Sequence, residues 1–183
     1  MRAWIAGALT FTLASGGTHA MESKPEPLDA TLRGSDGKHV RLSTWRGKPV
    51  ILFYEDKKST SLNAPLKEEL FKRGQARGLL EAAFVVAVAN LEDYDFFPAR
   101  QIALSYVRDE EKKAGVPILV DLDGTLGGPP WGLPKKTSNV LLLDGEGRLI
   151  FKHSGRMKEA EMEAFFGTLS RLVGVDLAGE KKP

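Results

Sequence analysis

Two lysines and three hydroxyl side chains follow directly after an apolar run of strand length. They are Lys57, Lys58, Ser59, Thr60 and Ser61. A helical pattern over residues 62–77 comes next, so these side chains are expected at a helix N-terminus, where unpaired N–H groups and the helix dipole attract anions. The hydroxyls could instead cap the helix while the lysines stay solvated. The pattern therefore indicates either a site for a small anion or acidic peptide, or an ordinary helix start.

Three carboxylates follow the next apolar run, at residues 83–89. They are Glu92, Asp93 and Asp95. Ligands gather at the carboxyl ends of strands in open α/β sheets, and a divalent cation would accept such oxygens. A solvated acidic turn explains the same residues. The aromatic neighbours Tyr94, Phe96 and Phe97 could form an exposed docking patch, although such a trio more often belongs to a core.

A third candidate is the segment Asp121-Leu122-Asp123-Gly124-Thr125. It resembles the first motif of haloacid-dehalogenase-type phosphatases, which implies Asp121 as nucleophile and Asp123 as acid/base beside Mg²⁺. That motif normally opens its domain, whereas here it lies late in the chain and no second acidic pair follows an apolar strand. A strand that ends in an Asp-Gly turn explains the residues without phosphatase chemistry.

Several classes of function are excluded by composition. The 183 residues include no cysteine, which removes thiolate nucleophiles, disulfides and Cys-ligated metal centres. A net charge of +2, from 26 basic and 24 acidic residues, is too balanced for a broad nucleic-acid-binding face. His39 and His153 are isolated in predicted strands, so neither a zinc site nor a hydrolase triad is expected. We expect no cofactor.

The elements that position these residues alternate between strands and helices. The chain order is strands at 29–33, 39–42 and 49–54, a helix at 62–77, a strand at 83–89, a helix at 98–113, strands at 116–121, 139–144 and 148–153, and a helix at 158–173. The periodicity turns Leu70 and Phe71 inward on the first helix and Ile102 and Val107 inward on the second. This order predicts an α/β sandwich with a mixed sheet and an extra N-terminal hairpin.

The two ends of the chain are expected to lie outside that domain. Residues 1–20 have the basic start, short apolar stretch and small-residue end of a cleaved signal peptide. Residues 21–28 are polar and proline-rich and predict a flexible leader, and residues 176–183 a polar tail. The globular domain is therefore assigned to residues 29–175, in a protein exported to the periplasm with no membrane span after signal cleavage.

The entry to this domain resembles that of thioredoxin-like proteins of the peroxiredoxin and TlpA-type group. The resemblance rests on the pattern Gly34-x-Asp36-Gly37-Lys38-x-Val40-x-Leu42-Ser43-x-x-Arg46-Gly47-Lys48-x-Val50-x-Leu52-Phe53. It implies a thioredoxin-like three-layer sandwich whose central mixed sheet is flanked by helices. The phrases Asn90-x-Glu92-Asp93 and Ser138-x-Val140-Leu-Leu-Leu-Asp144 are most similar to the YtfJ-like family of exported bacterial proteins.

The resemblance also identifies what this chain lacks. Redox relatives carry a Cys-x-x-Cys or peroxidatic cysteine where the third strand runs into its helix. The matching positions are Lys57 and Thr60, or, one residue later, Lys58 and Ser61. The cis-proline that flanks the redox site corresponds to Ser138. Thiol–disulfide exchange requires a thiolate, so neither dithiol oxidoreductase nor peroxiredoxin activity is possible.

The resemblance further implies that Lys135 and Lys136 lie on the loop facing this former redox site. We therefore expect a redox-inactive binding module whose ligand, a peptide, a protein or a small anion, contacts the four lysines, the three hydroxyls and Ser138. The phosphatase at Asp121 and Asp123 is the alternative.

Overall fold

A computed structural model describes residues 25–177 of the chain, as seven strands and four helices. The predicted signal peptide at 1–20 lies outside these residues, as do residues 21–24 of the predicted leader and 178–183 of the predicted tail. The strands are β1 (Thr31–Gly34), β2 (His39–Arg41), β3 (Val50–Glu55), β4 (Phe84–Asn90), β5 (Ile118–Asp121), β6 (Asn139–Leu143) and β7 (Leu149–Ser154). The helices are α1 (Ala64–Arg77), α2 (Leu79–Ala82), α3 (Ala99–Ala114) and α4 (Glu159–Val173).

All seven strands form one mixed sheet in the order β2-β1-β5-β4-β3-β6-β7. The central strands β3, β4 and β5 are parallel to one another, and the other pairs are antiparallel. These three parallel strands, which are connected through α1 and α3, therefore form the middle of the sheet. An antiparallel hairpin is added at each edge. The predicted α/β sandwich with an N-terminal hairpin is confirmed.

The sheet is buried on both faces because its central strands are apolar throughout. On β3, Ile51 and Phe53 pack in one cluster with α1 and α4, while Leu52 and Tyr54 pack in a second cluster with the segment that leads into β6. The aromatic pair Phe165 and Phe166 of α4 fills the first cluster. In the second, the covering side chains come from Leu126, Trp131 and Leu133. Strands buried on both faces are expected to read as continuous apolar runs, and β3 and β6 do so.

Two predictions about helix faces were wrong. Phe71 is 60% exposed and Ile102 is 56% exposed. On α1 the buried stripe is Leu66, Leu70 and Gly74, and one residue along a helix turns about 100°, so Phe71 lies beside that stripe rather than within it. On α3 only Val107 is buried, and Ile102, five residues before it, is rotated from it by about 140°.

The start of the described region contacts the turn between β6 and β7. Leu28 donates its backbone N–H to Gly147 in the β6–β7 turn over 2.8 Å, so the chain runs along that turn before β1. Within residues 25–177, no helix is both long enough and apolar enough to cross a membrane.

Candidate functional site

The loop from β3 to α1 is shaped by its own hydroxyls. Ser59 is buried, and its Oγ accepts the N–H of Asp56 at 2.9 Å, while the carboxylate of Asp56 accepts the N–H of Ser59 at 2.9 Å. The hydroxyl of Thr60 donates to the carbonyl of Lys57 over 3.3 Å. Ser61 is exposed. Two of the three hydroxyls are therefore hydrogen-bonded inside the loop, and Thr60 and Ser61 are the two that are exposed.

The two lysines of this loop differ in their surroundings. The ammonium of Lys57 lies 4.5 Å from the ring centroid of Tyr106 on α3, which is a cation–π distance. Lys58 is exposed and its side chain has no partner among residues 25–177. The former redox loop thus presents one lysine against an aromatic ring and one directed to solvent.

The facing loop contributes a second pair of lysines. Lys135 forms an ion pair with Glu92 at 2.6 Å, and this hydrogen bond raises the pKa of Lys135. Lys136 is exposed, has a φ of 59°, and makes no side-chain contact within the described part of the chain. The four lysines are therefore not equivalent: Lys58 and Lys136 are available to a ligand, whereas Lys57 and Lys135 already have partners.

Beneath these loops lies a buried polar network. Glu55 is 7% exposed at the end of β3, and its two carboxylate oxygens accept from the ammonium of Lys67 and the hydroxyl of Ser138, each at 2.6 Å. Ser138 in turn accepts from the side-chain amide of Asn63 at 2.9 Å. Lys67 also donates to the carbonyl of Thr60 over 2.9 Å. A charged pair with each oxygen occupied is the arrangement that a buried carboxylate requires.

Asn63 connects this network to the start of α4. Its amide donates to the carbonyl of Gly155 at 2.8 Å, and its oxygen accepts the N–H of Met157 at 2.8 Å. The side chain of Asn63 therefore links the loop before α1 to the segment before β6 and to the entry of α4. Sequence reasoning identified Ser138 but missed Glu55, Asn63 and Lys67. The available signal was a carboxylate at the end of an otherwise apolar strand.

The carboxylates after β4 are divided among different partners. Glu92 binds Lys135, Asp95 forms an ion pair with Arg100, and Asp93 is exposed. Within residues 25–177, no group of three or more acidic or histidine side chains is arranged to hold a metal ion. His39 and His153 lie on β2 and β7, the opposite edges of the sheet. Neither set of side chains converges on one point.

Asp121 closes the turn that follows β5. It is buried, and its oxygens accept the N–H groups of Thr125 at 2.8 Å and Leu126 at 2.9 Å. The hydroxyl of Tyr54 donates to the same carboxylate over 3.3 Å. Burial, followed by the charge of Asp121, raises the pKa of Tyr54. Asp123 is exposed and lines the same shallow cavity as Asp121. Because both oxygens of Asp121 already accept hydrogen bonds from the turn, the phosphatase alternative has no support in this geometry.

The aromatic residues near Glu92 separate into two environments. Tyr94 packs against a small apolar cluster with Leu91 and Val107. Phe96 is 59% exposed and Phe97 is 82% exposed. The exposed pair directly precedes α3, the helix that carries Tyr106.

Comparisons with known proteins identify the fold. No protein-family model matches the chain, and no curated protein matches it. Among solved structures, an exposed lipoprotein thioredoxin of Streptococcus pneumoniae has 25% identity and a TM-score of 0.55, covering 79% of this chain and 100% of that one. The peroxidoxin BcpB of Mycobacterium tuberculosis has 20% identity and a TM-score of 0.55, covering 81% and 97%. A candidate DsbE-type thiol:disulfide interchange protein of Chlorobium tepidum has 21% identity and the same TM-score, covering 82% and 98%.

The fold is thioredoxin-like. The similar structures are named as an exposed lipoprotein thioredoxin, a thiol:disulfide interchange protein and a peroxidoxin, whereas this chain has no cysteine. A thioredoxin-like domain without a thiol has no electron donor for disulfide exchange. The β3–α1 loop and the segment before β6, which the sequence resemblance identifies with the redox site, hold lysines, hydroxyls and the Glu55 network in this chain.

Proposed function

We propose that this chain is a redox-inactive, thioredoxin-like binding module of the periplasm that holds an acidic peptide segment at the former redox loops. The observation that carries the proposal is the Glu55–Ser138 contact of 2.6 Å. It joins two loops from distant parts of the chain, and each loop projects an exposed lysine without a partner in the described region, Lys58 and Lys136.

The physical reason is preorganisation. Lys67, Asn63 and Ser138 fix the two loops from below, so the free energy of ordering them is not lost when a ligand binds. The outward lysines then meet a ligand in one relative position. Carboxylates are the matching chemistry, because a lysine ammonium offers three N–H donors and a full positive charge.

Export and family membership are part of the same proposal. The signal-like pattern at 1–20 supports export, and one of the similar structures is an exposed lipoprotein. The motifs around Asn90 and Ser138 support a relationship to the YtfJ-like family. The proposed role is binding alone, because the chain supplies charge and shape at these loops but no thiol.

Fluorescence anisotropy at low ionic strength tests the proposal. The probe is a short labelled peptide that alternates Glu with Ser, and free glutamate and inorganic phosphate serve as competitors. The Lys58→Glu/Lys136→Glu variant is expected to weaken peptide binding by about tenfold or more. The charge-matched control is Lys72→Glu/Lys112→Glu, which alters two exposed lysines elsewhere and should leave binding unchanged.

The outcomes are distinct. Equal weakening by both variants would mean that only net charge matters, and it would contradict a specific site at Lys58 and Lys136. Competition by phosphate as effective as by peptide would identify a small anion as the ligand. No peptide binding by the unmodified protein would contradict the proposal as a whole.

A further inference from the structure

Among residues 25–177, four of the seven exposed large apolar side chains lie at the entry to α3 or on it. Phe97 is 82% exposed, Tyr106 57% and Ile102 56%. Solvent-exposed aromatic and aliphatic groups are ordinary when scattered singly, but a contiguous set marks an interaction surface. These three residues are named the α3 strip.

The geometry of the helix makes the strip contiguous. Pro98 is the N-cap of α3, which puts Phe97 and Ile102 at the two positions that neighbour each other across a helix start. Ile102 and Tyr106 are four residues apart and share one side of the helix. The strip therefore runs from Phe97 along the helix to Tyr106.

The strip ends at the former redox loop. The Lys57 ammonium lies 4.5 Å from the Tyr106 ring, and Lys58 is the next residue. The apolar strip is thus followed by two positively charged side chains, Lys57 and Lys58. On the opposite side of the helix start, Arg100 is paired with Asp95 and adds no free charge.

We infer that the α3 strip is the apolar half of the peptide site, so that the partner is an amphipathic segment with large apolar side chains followed by acidic ones. This inference rests on the proposed function and deepens it. From Pro98 to Tyr106 the helix rises about 12 Å, which an extended peptide spans in about four residues. The expected ligand carries its apolar anchors about four positions from its acidic residues.

Two other occupants fit the surface less well. An anionic membrane is recognised by clusters of about 4–8 basic residues, whereas the strip ends at two lysines, Lys57 and Lys58, and its nearby Arg100 is paired with Asp95. A second copy of this chain would need about 800 Å² on each partner, whereas three side chains at this exposure offer roughly 400 Å². A short peptide is matched to both the charge and the size.

The test uses three labelled peptides and two variants. The first peptide carries two Phe residues and, about four positions on, two Glu residues; the second replaces Phe with Ser, and the third replaces Glu with Gln. The variant Phe97→Ser/Ile102→Ser removes two of the three side chains of the strip and leaves the Lys57–Tyr106 contact in place. The matched control, Phe71→Ser/Leu80→Ser, removes two side chains of similar exposure, 60% and 58%, from α1 and α2.

The strip variant is expected to bind the Phe–Glu peptide about tenfold more weakly than the unmodified protein, and to bind the Ser–Glu peptide unchanged. The control should bind both normally. Weakening no greater than in the control, or equal affinity of the unmodified protein for the two peptides, would overturn the inference while leaving the proposed function intact. Failure of the proposed function has a different signature: the unmodified protein would then bind the Phe–Glu and Phe–Gln peptides alike, and Lys58→Glu/Lys136→Glu would not weaken binding of the Phe–Glu peptide.

Two further readouts separate the other occupants. Sedimentation of anionic phospholipid vesicles with the protein, abolished by Phe97→Ser/Ile102→Ser, would replace the peptide by a membrane. A concentration-dependent dimer that the same variant dissociates would replace it by a second copy. Either result overturns the inference.

Discussion

Glu55 is a carboxylate at the end of β3 that is only 7% exposed to solvent. Its carboxylate is held by Lys67 on one side and by Ser138 on the other, at 2.6 Å each. Charge burial on this scale is tolerated only while both contacts persist, because an unpaired buried carboxylate loses its hydration without replacement. The residue therefore behaves as a structural part of the site.

Lys67→Met is expected to lower the free energy of unfolding by about 3 kcal/mol, because it leaves the Glu55 carboxylate without its cation. Urea denaturation of the variant and the unmodified protein measures the loss. The double variant Glu55→Gln/Lys67→Met should recover part of it, since no charge is then buried. A single variant as stable as the unmodified protein would contradict this account of Glu55.

Asp121→Asn is expected to cost about 1–3 kcal/mol of stability, because an amide N–H₂ would face the N–H groups of Thr125 or Leu126 in place of an acceptor. Thermal unfolding monitors the change. Activity provides the second readout: we expect the unmodified protein not to hydrolyse a generic aryl phosphate in the presence of magnesium. Magnesium-dependent hydrolysis that Asp121→Asn abolishes would restore the phosphatase alternative.

Single residues were identified from the sequence by type and order, but their partners could not be. The lysine and hydroxyl cluster was visible because its members are adjacent. Glu55 and Ser138 are 83 positions apart, so no local pattern links them. Ser59 illustrates the same limit, since its hydroxyl turns inward to Asp56 where the sequence offered it to a ligand.

Among the elements, the helices diverged most from expectation. Strand positions follow from apolar runs and turn residues, and the bounds of β3, β4 and β6 differ from the predicted ones by a residue at most at each end. A helix face is less determined, because neighbouring side chains differ by about 100° and the packing partner decides which one is buried. Phe71 and Ile102 are exposed because the packing partners of their helices bury other residues.

One carboxylate, that of Asp29, links several parts of the N-terminal hairpin. Asp29 accepts the N–H groups of Ala30 at 3.0 Å and Ser43 at 2.9 Å, and forms an ion pair with Arg41 at 2.7 Å. Burial by itself would raise the pKa of Asp29, but these hydrogen bonds outweigh it and leave the pKa lowered. The residue thus joins the entry of β1 to β2 and to the turn after it.

Asp29→Asn is therefore expected to destabilise the protein by about 1 kcal/mol at neutral pH. A carboxylate whose pKa is lowered by folding adds stability above its unfolded value, about 3.9, and that stability is lost as the pH falls through the lower folded value. The difference between variant and unmodified protein should shrink on acidification below about pH 4. Urea titrations at neutral and acidic pH measure it, and a difference independent of pH would contradict the assignment.

At the scale of the whole molecule, stability is concentrated in the centre of the sheet. Every residue of β3 and β6 is buried, whereas α3 buries only Val107. Much of this architecture could be predicted, because alternating apolar runs and helical periods admit few topologies. The side-chain networks at the loop ends could not, since they arise only after the sheet has brought distant segments together.

Native-state hydrogen exchange should reflect this arrangement. Amides of β3 and β6 are expected to exchange slowest, near the rate of global unfolding, and those of α3 much faster, because a helix with little buried surface opens without disrupting the core. Exchange measured by mass spectrometry on proteolytic fragments separates the two. Protection of α3 equal to that of β3 would contradict the prediction.

The N-terminal hairpin has a consequence for self-assembly. β1 pairs with β5, and without it the apolar strand Ile118–Asp121 would form the edge of the sheet with its backbone donors and acceptors open. Such an edge recruits strands from other chains. The outermost strand is instead β2, three residues long and exposing His39 and Arg41, a poor template for strand addition. A protease cut that released the hairpin would therefore turn the folded domain into a seed for intermolecular β-sheet growth.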